Sequence, residues 1–416
     1  MTTRYPSVDV VRGIAVMGIL AMNIIGFAMP EQASLTPDTW RADSFANREL
    51  WALSFIFVDN KMRGLFSLLY GASILMLIRS TDAAGGNGLA RHHRRSLWLL
   101  LFGLIHYYLI WNGDILTLYA LVGFLALLFR DMGPRRLVCV SLLCFIGHFV
   151  FWASVLAPAI ETERMARDPM ASSAIVAAAE QHQEDWGAPS SPDIEGQIKL
   201  YRSGYTEILK ARAVGDAAGP VRLLMLFWLE TMGLMLLGMA LFKSGLLTAE
   251  WQQRRIKTLA WRCGLFGLAG MGGLTALCAV WGWMPVTTTA ASVLWSIPFR
   301  GALTVAYAAM IISIYQRYAL HPAIARIAAV GQTAFSNYIG TSVVMTFIFY
   351  GYGLGLYGHV SRVETWLICI AAWAVMLIWS PAWMARFRQG PLEWLWRSLT
   401  AGQLAPFRRM NVARPS

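Results

Sequence analysis

The sequence predicts an all-α integral membrane protein. It has about ten transmembrane helices, both termini cytoplasmic, and one large external insert between helices 5 and 6. Three observations lead there. Of 416 residues, 57% are hydrophobic and only 14% charged, against about 25% charged in soluble domains. Apolar runs near the ~20 residues needed to cross a bilayer recur along the whole chain. The Lys and Arg residues fall in alternate connecting loops, the pattern of membrane topology. The net charge of +12 therefore reads as topology and not as a nucleic-acid surface.

The runs lie at 10–29, 62–78, 96–112, 115–130, 136–157, 220–242, 261–281, 292–316, 329–350 and 363–385. The first is longer than a signal-peptide core and no A-x-A site follows it, so it reads as an uncleaved signal anchor. Residues 30–61 carry Glu31, Asp38, Asp43, Glu49 and Asp59 and end in WALSFIFVDNKMRGLF, an interfacial or re-entrant helix leading into the second span. Residues 158–219 form the extracytoplasmic insert of a single transmembrane domain, 1–416. Within it Ile198, Tyr201, Tyr205, Ile208 and Leu209 have helical spacing over 195–213. That predicts an amphipathic helix, lying on the outer surface or capping a cavity, or else a solvated linker. The Gly-rich seventh span (Gly264, Gly267, Gly270, Gly272, Gly273) permits close helix contact within one chain or in a homodimer.

One set of loops holds Arg79, Arg91, Arg94 and Arg95, then Arg130, Arg135 and Arg136, then Lys243, Arg254, Arg255, Lys257 and Arg262, then Arg317 and Arg326. The alternate short loops hold Arg41, Arg48, Lys61 and Arg362. Basic residues resist translocation, so the first set is cytoplasmic. So is the tail with Arg386, Arg388, Arg397, Arg408, Arg409 and Arg414. The expected location is the cytoplasmic (inner) membrane, with lipids as the immediate partners. Cys139, Cys144, Cys263, Cys278 and Cys369 sit in apolar runs with no C-x-x-C pair or metal spacing. Packed thiols are expected, with no disulfide framework and no metal.

An ionisable side chain at membrane depth costs at least ~2.5–3.5 kcal/mol, so the few in these runs mark candidate sites. Asp9, Arg12 and Asn23 share one stripe of the first helix. Either Asp9 caps the helix while Arg12 snorkels, or Arg12 faces a cytoplasmic cavity and holds a phosphate. Glu230 and Arg300 read as ion partners across a helix interface or as substrate ligands. Asn337 is a third substrate-binding candidate, and His148, among phenylalanines, reads as a packed neutral histidine.

The stretch GLIHYYLIWNGDILTLYALVG, residues 103–123, holds His106, Asp114 and Tyr119. A helical hairpin turning at Asn112-Gly113 puts Asp114 about 9 Å above His106 at ~1.5 Å per residue. Tyr119 then lies level with His106. Gly113 reads as a left-handed helix cap and Asp114 as the next helix's N-cap. His106 is left without a structural explanation, and imidazole is the side chain best suited to move a proton near neutral pH.

Several motifs resemble the YeiB-like family (domain of unknown function 418): RYPSVDVVRGIAVMGILAMNI, the hairpin just quoted, GQTAFSNYIGTSV, FYGYGLGLYG and FRQGPLEWLWRSLT. They run in order from Arg4 to Thr400. Gln332 and Thr341 depart from the family's pattern, in which a basic residue and a Gln are common. The family is similar to membrane acyltransferases, the acyltransferase-3 and heparan-alpha-glucosaminide N-acetyltransferase groups. The resemblance implies a roughly ten-helix bundle, a cytoplasmic acyl-CoA donor and an acceptor, small molecule or glycan, reached from the other face. It also implies an intramembrane histidine as base or acyl carrier, matched by His106. The D-x-x-R-G motif is matched by Asp9, Arg12 and Gly13.

The expected activity is acyl transfer to a hydroxyl or amine. His106 would be the base, with Tyr119 or Asn23 as its polar neighbour and Asp114 orienting the acceptor near the outer mouth. Asp9, Arg12, Asn23, Arg94 and Arg95 would hold the acyl-CoA, helped by Arg91, Arg135 and Arg136. The competing expectation is a non-catalytic transporter or binding protein, with Glu230, Arg300 and Asn337 lining a site for a polar metabolite.

Overall fold

The computed structural model describes residues 5–409; Arg414 of the basic tail lies outside the described residues. All the regular elements of the described residues are helices, and their one β-pairing is an isolated bridge between Phe387 and Arg408. The helices are α1 (Pro6–Ala28), α2 (Asn47–Phe57), α3 (Lys61–Asp82), α4 (Gly88–Ile105), α5 (Leu116–Ala126) and α6 (Pro134–Ala166). The insert contributes α7 (Ser173–Asp185), α8 (Pro192–Tyr201) and α9 (Tyr205–Lys210). Then follow α10 (Gly219–Lys243), α11 (Gln253–Val280), α12 (Pro285–Ala290), α13 (Ile297–Tyr318), α14 (Pro322–Gln332), α15 (Ala334–Phe349), α16 (Arg362–Arg386) and α17 (Pro391–Ala401).

Seven helical segments are long and apolar enough to cross a membrane: Pro6–Ala28, Asn47–Asp82, Pro134–Ala166, Gly219–Lys243, Gln253–Val280, Ile297–Tyr318 and Arg362–Arg386. Two shorter apolar helices, Leu116–Phe129 and Ala334–Phe349, lie among them. The outward faces of α6, α11 and α16 are apolar, with Leu143 65%, Leu265 67% and Val375 60% exposed. Apolar faces this extended suit lipid and not water. The protein is a multi-pass helical membrane protein.

Helix α1 is central and packs on α3, α13, α14, α15 and α16. It starts at the end of the bundle that carries Arg79, Arg95 and Lys243, here the basic end. It finishes at the end covered by α7–α9, the insert end. Two crossings depend on glycine. A Cβ on Gly13 would lie 2.1 Å from the Ile327 carbonyl oxygen, and one on Gly331 1.9 Å from that of Asp9. Thus the glycine of the D-x-x-R-G motif and the glycine of GQTAFSNYIG lock α1 against α14. Gly71 and Gly238 make the equivalent approach between α3 and α10. We expect Gly331→Ala to destabilise the protein by ~1–3 kcal/mol, the usual cost of overpacking. Thermal unfolding of the detergent-purified protein measures this, and an unchanged midpoint would contradict the close crossing.

Two expectations about helix continuity are corrected. The ninth run, 329–350, is not one helix. It breaks at Thr333, and the new helix α15 is capped by Glu393 of α17. The Glu393 carboxylate accepts from the backbone N–H of Phe335 (2.6 Å) and of Ser336 (3.1 Å) and from the Ser336 hydroxyl. A carboxylate that satisfies free N–H groups stabilises a helix start. Burial raises the Glu393 carboxyl above its usual range, and the bonds from Ser336 and Phe335 oppose that rise. The amphipathic segment 195–213 is likewise two helices, interrupted at Ser203-Gly204 before α9 and ending in a π-helical turn, Ala211–Gly215. It lies on the bundle: Tyr201 and Ile208 are buried, and the Tyr201 ring packs 4.7 Å from Tyr350 and 4.8 Å from Tyr357.

Candidate functional site

Helix α4 does not simply stop at its end. Residues His106–Ile110 widen into a π-helical turn, closed by the Trp111 N–H on the His106 carbonyl at 2.7 Å. At Trp111 the backbone is extended, at Asn112 it bends, and the chain drops back into the bundle before α5 begins. An extended residue advances ~3.3 Å against ~1.5 Å in a helix. The non-helical residues 111–115 therefore cancel the rise of the turn, and Asp114 arrives beside His106 and not above it. The His106 Nδ1 lies 3.0 Å from Asp114 Oδ1, and both side chains are buried. This overturns the expected 9 Å separation, which assumed a symmetric hairpin.

Asp114 also does the capping the sequence suggested. Its Oδ1 accepts from Leu116 N–H (3.1 Å) and its Oδ2 from Thr117 N–H (2.8 Å). Gly103 permits this approach, since a Cβ there would lie 2.4 Å from the Thr117 nitrogen. Gly113 is not a left-handed cap; its φ is not positive. It is glycine because the Trp111 indole covers it, 2.2 Å from where a Cβ would be. Tyr119 does not face His106 either. Its hydroxyl bonds the Ser67 hydroxyl (2.8 Å) and the Arg63 carbonyl (3.2 Å). The tyrosine beside His106 is Tyr338, with ring centroids 5.1 Å apart. Only tertiary packing brings it there, from the GQTAFSNYIG motif.

With Nδ1–H donating to the Asp114 carboxylate, the imidazole presents the lone pair of Nε2. That atom is buried and has no hydrogen-bond partner among the described residues. A buried polar atom without a partner is costly. Here it is aligned by a carboxylate on the other side of the ring, the arrangement that orients a general base.

Two cavities flank this pair. The basic-end cavity, about 310 Å³, is lined by Arg12, Ser73, Arg95, Gln332 and Trp396 and reaches Tyr119 and Tyr338. Arg12 pairs with Asp9 (3.2 Å) and donates to Ser73 (3.4 Å), and Arg95 lies 4.3 Å over the Trp396 ring. Arg94, expected beside Arg95, points away on the exposed face of α4. The insert-end cavity, about 530 Å³, is lined by Asn23, Trp111, Asn112, Gly113 and Tyr201. Asn23 was expected with Arg12. It shares the stripe but lies eleven residues on, about 16 Å along the axis at ~1.5 Å per residue, in the other cavity. His106 itself lines neither cavity. Its ring contacts Tyr338, from the wall of one cavity, and Trp111, from the wall of the other at 6.3 Å.

A second polar cluster sits deeper in the bundle. Glu230 Oε1 accepts from Arg300 Nε at 2.7 Å, and its Oε2 from Arg63. His148 Nε2 lies 3.6 Å from the same carboxylate. Arg300 is held further by the Ser292 carbonyl (2.6 Å) and the Ser296 hydroxyl (3.1 Å), presented by a π-helical turn, Ala291–Trp295. Glu230 and Arg300 are therefore together, but Arg63 was missed because it stands at the edge of an apolar run and reads as a loop charge. Lys61 also reads from the sequence as a loop charge. It is buried, and its ammonium donates to the Phe55 carbonyl. Asn337 does not join this cluster. Its side chain bonds Val330, Thr333, Ser380 and Trp379 at the α14–α15 break, a separate and internally satisfied network.

These features define a class: a multi-pass helical membrane protein with a buried histidine–aspartate pair between two opposed cavities. The chain belongs to the YeiB-like family described as "Protein of unknown function (DUF418)", whose match covers residues 241–403. It is 30% identical to Uncharacterized protein YxaH of Bacillus subtilis (strain 168), over 94% of this chain and 93% of that one. It is also 30% identical to Uncharacterized protein YeiB of Escherichia coli (strain K12), over 97% of this chain and 98% of that one. A 39.9 kDa protein of Bacillus acidopullulyticus shares 22% identity over 97% of this chain and 95% of its own length. No solved structure matches the chain.

Proposed function

We propose that this protein transfers an acyl group from cytoplasmic acyl-CoA, through the basic-end cavity, to a hydroxyl or amine acceptor in the insert-end cavity. The carrying observation is the place of His106: paired with Asp114 on one nitrogen, unpartnered on the other among the described residues, and packed on Tyr338 and Trp111, which line one cavity each. His106 takes the proton of the acceptor as the acceptor attacks the thioester carbonyl. It returns that proton to the departing thiolate. Asp114 holds the imidazole in the tautomer that presents Nε2. Such general-base help is worth ~10²–10⁴-fold. The apolar wall and the two cations, Arg12 and Arg95, suit a thioester chain with its phosphates at the mouth.

In this reading ten segments span the cytoplasmic (inner) membrane with both termini cytoplasmic and residues 158–219 outside. Impermeant thiol labelling of single cysteines placed in the insert tests that topology in intact cells. The activity is tested by incubating the purified protein with acyl-CoAs of graded length and candidate acceptors. The expected result is acceptor-dependent release of free thiol; no release with any pair would contradict it. The opposed cavities also support a second reading, a non-catalytic transporter or binding protein for a polar metabolite. Solute counterflow in proteoliposomes without thiol release would select it.

A further inference from the structure

The π-helical turn that carries His106 has an exposed weakness. Its last carbonyls point out of the helix end and have no intrahelical partner, and at a helix C-terminus inside a bundle each needs a donor. The insert supplies two. Arg212 Nη1 donates to the Ile110 carbonyl at 2.8 Å, and the Tyr205 hydroxyl donates to the Leu109 carbonyl at 2.9 Å. The side chains of the turn reach back to the same segment. Tyr107 donates to Asp216 (2.5 Å), which Arg222 grips with two bonds, and Tyr108 donates to the Ala217 carbonyl (2.6 Å). Tyr201 of the insert bonds the Asn112 side chain, at 3.3 Å, in the segment that returns Asp114 to the bundle.

We infer that the 205–217 segment of the insert is a clamp that sets the position of His106, with Arg212 as its principal positioning residue. Arg212 is 4% exposed, lies over the rings of Tyr201 and Tyr350, and is itself presented by a second π-helical turn, Ala211–Gly215. A cation at that helix end also suits the partial negative charge of its free carbonyls. The clamp does not touch His106. It works through the backbone of residues 106–110, whose Leu109 and Ile110 carbonyls take their donors from the insert. The insert also lines the insert-end cavity, through Tyr201 and Gln197, so the segment that holds the histidine turn also forms part of the cavity wall. The catalytic meaning of the clamp rests on the acyl-transfer reading; the placement itself does not.

The test is a local one on the full-length protein in detergent. Hydrogen–deuterium exchange is followed for the peptide covering 104–111. Carbethoxylation of His106 by diethylpyrocarbonate is followed by peptide mass spectrometry, with buried His148 as the internal reference. Arg212→Ala is expected to speed exchange in 104–111 and His106 modification several-fold. His148 should not change, and Arg212→Lys should restore most of the protection. Should Arg212→Ala fail to fold, Tyr205→Phe removes only the hydroxyl on Leu109 and is expected to give the same pattern more weakly. Unchanged protection of 104–111 and His106 in a folded variant would overturn the clamp. So would an equal rise at His148, which marks general loosening. Neither readout needs activity. Local release in a protein that never turns over acyl-CoA would therefore sink the acyl-transfer reading and leave the clamp standing.

Discussion

Replacing His106 by alanine is expected to abolish acyl transfer, a loss of at least ~10²–10⁴-fold, while the protein still folds. The reason is asymmetric bonding at the pair. Among the described residues the His106 ring has one hydrogen-bond partner, Asp114. Asp114 keeps its two backbone donors, Leu116 and Thr117, when the histidine is gone. The stability cost is then that of a truncated buried side chain, ~1–3 kcal/mol. Asp114→Asn should separate the two roles of the aspartate. The amide oxygen can still cap α5, but it no longer presents a carboxylate to Nδ1–H, so activity falls more than stability. Asp114→Ala should damage both. Initial rates of thiol release, alongside thermal unfolding of each variant, give the comparison. Full activity in His106→Ala would refute the mechanism.

Replacing Glu230 by alanine is expected to prevent accumulation of folded protein. One carboxylate faces two guanidinium groups, Arg63 and Arg300, and all three side chains are almost wholly buried. Breaking a buried ion pair by removing one partner costs ~3–5 kcal/mol, because the remaining charge is left uncompensated. Here two remain. Neighbouring Arg63 and Arg300 would also repel once the carboxylate is gone. That cost approaches the whole stability of many domains, ~5–15 kcal/mol. Glu230→Gln keeps shape and hydrogen-bond acceptance on one oxygen and should be milder, though still destabilised. Membrane yield, monodispersity in detergent and the unfolding midpoint measure the series. A Glu230→Ala protein with native yield and midpoint would show that the cluster does not hold α3, α10 and α13 together.

These two sites also show how legible the protein was. The partnership of Glu230 with Arg300 could be read from chemistry alone, since each is too costly to leave single at membrane depth. Arg63 could not, because near a run's edge an arginine looks like topology. Lys61 was misplaced for the same reason. Asp9 and Arg12 were legible as an i, i+3 pair, a contact set by helical geometry within one element. Asn23 and Asn337 were not, since a shared stripe or a shared polarity says nothing about which cavity or neighbour a side chain meets.

The sequence by itself determined the class of protein: the apolar runs, the alternation of basic loops, and the ordered motifs of the YeiB-like family. Those are local or statistical properties, carried by consecutive residues and their periodicity. Only the tertiary structure decided that His106 meets Asp114. The contact depends on a π-helical turn and a short extended return, and neither leaves a periodic signature. Both persist because distant segments satisfy their backbone groups, Arg212 and Tyr205 at the turn and Tyr338 at the return, whose hydroxyl lies 3.4 Å from both the Ile115 nitrogen and the Gly113 carbonyl oxygen. In an apolar bundle a free carbonyl or N–H must find a partner wherever the fold can supply one. That requirement, met here by groups 96 to 225 residues apart in the chain, placed the aspartate beside the histidine.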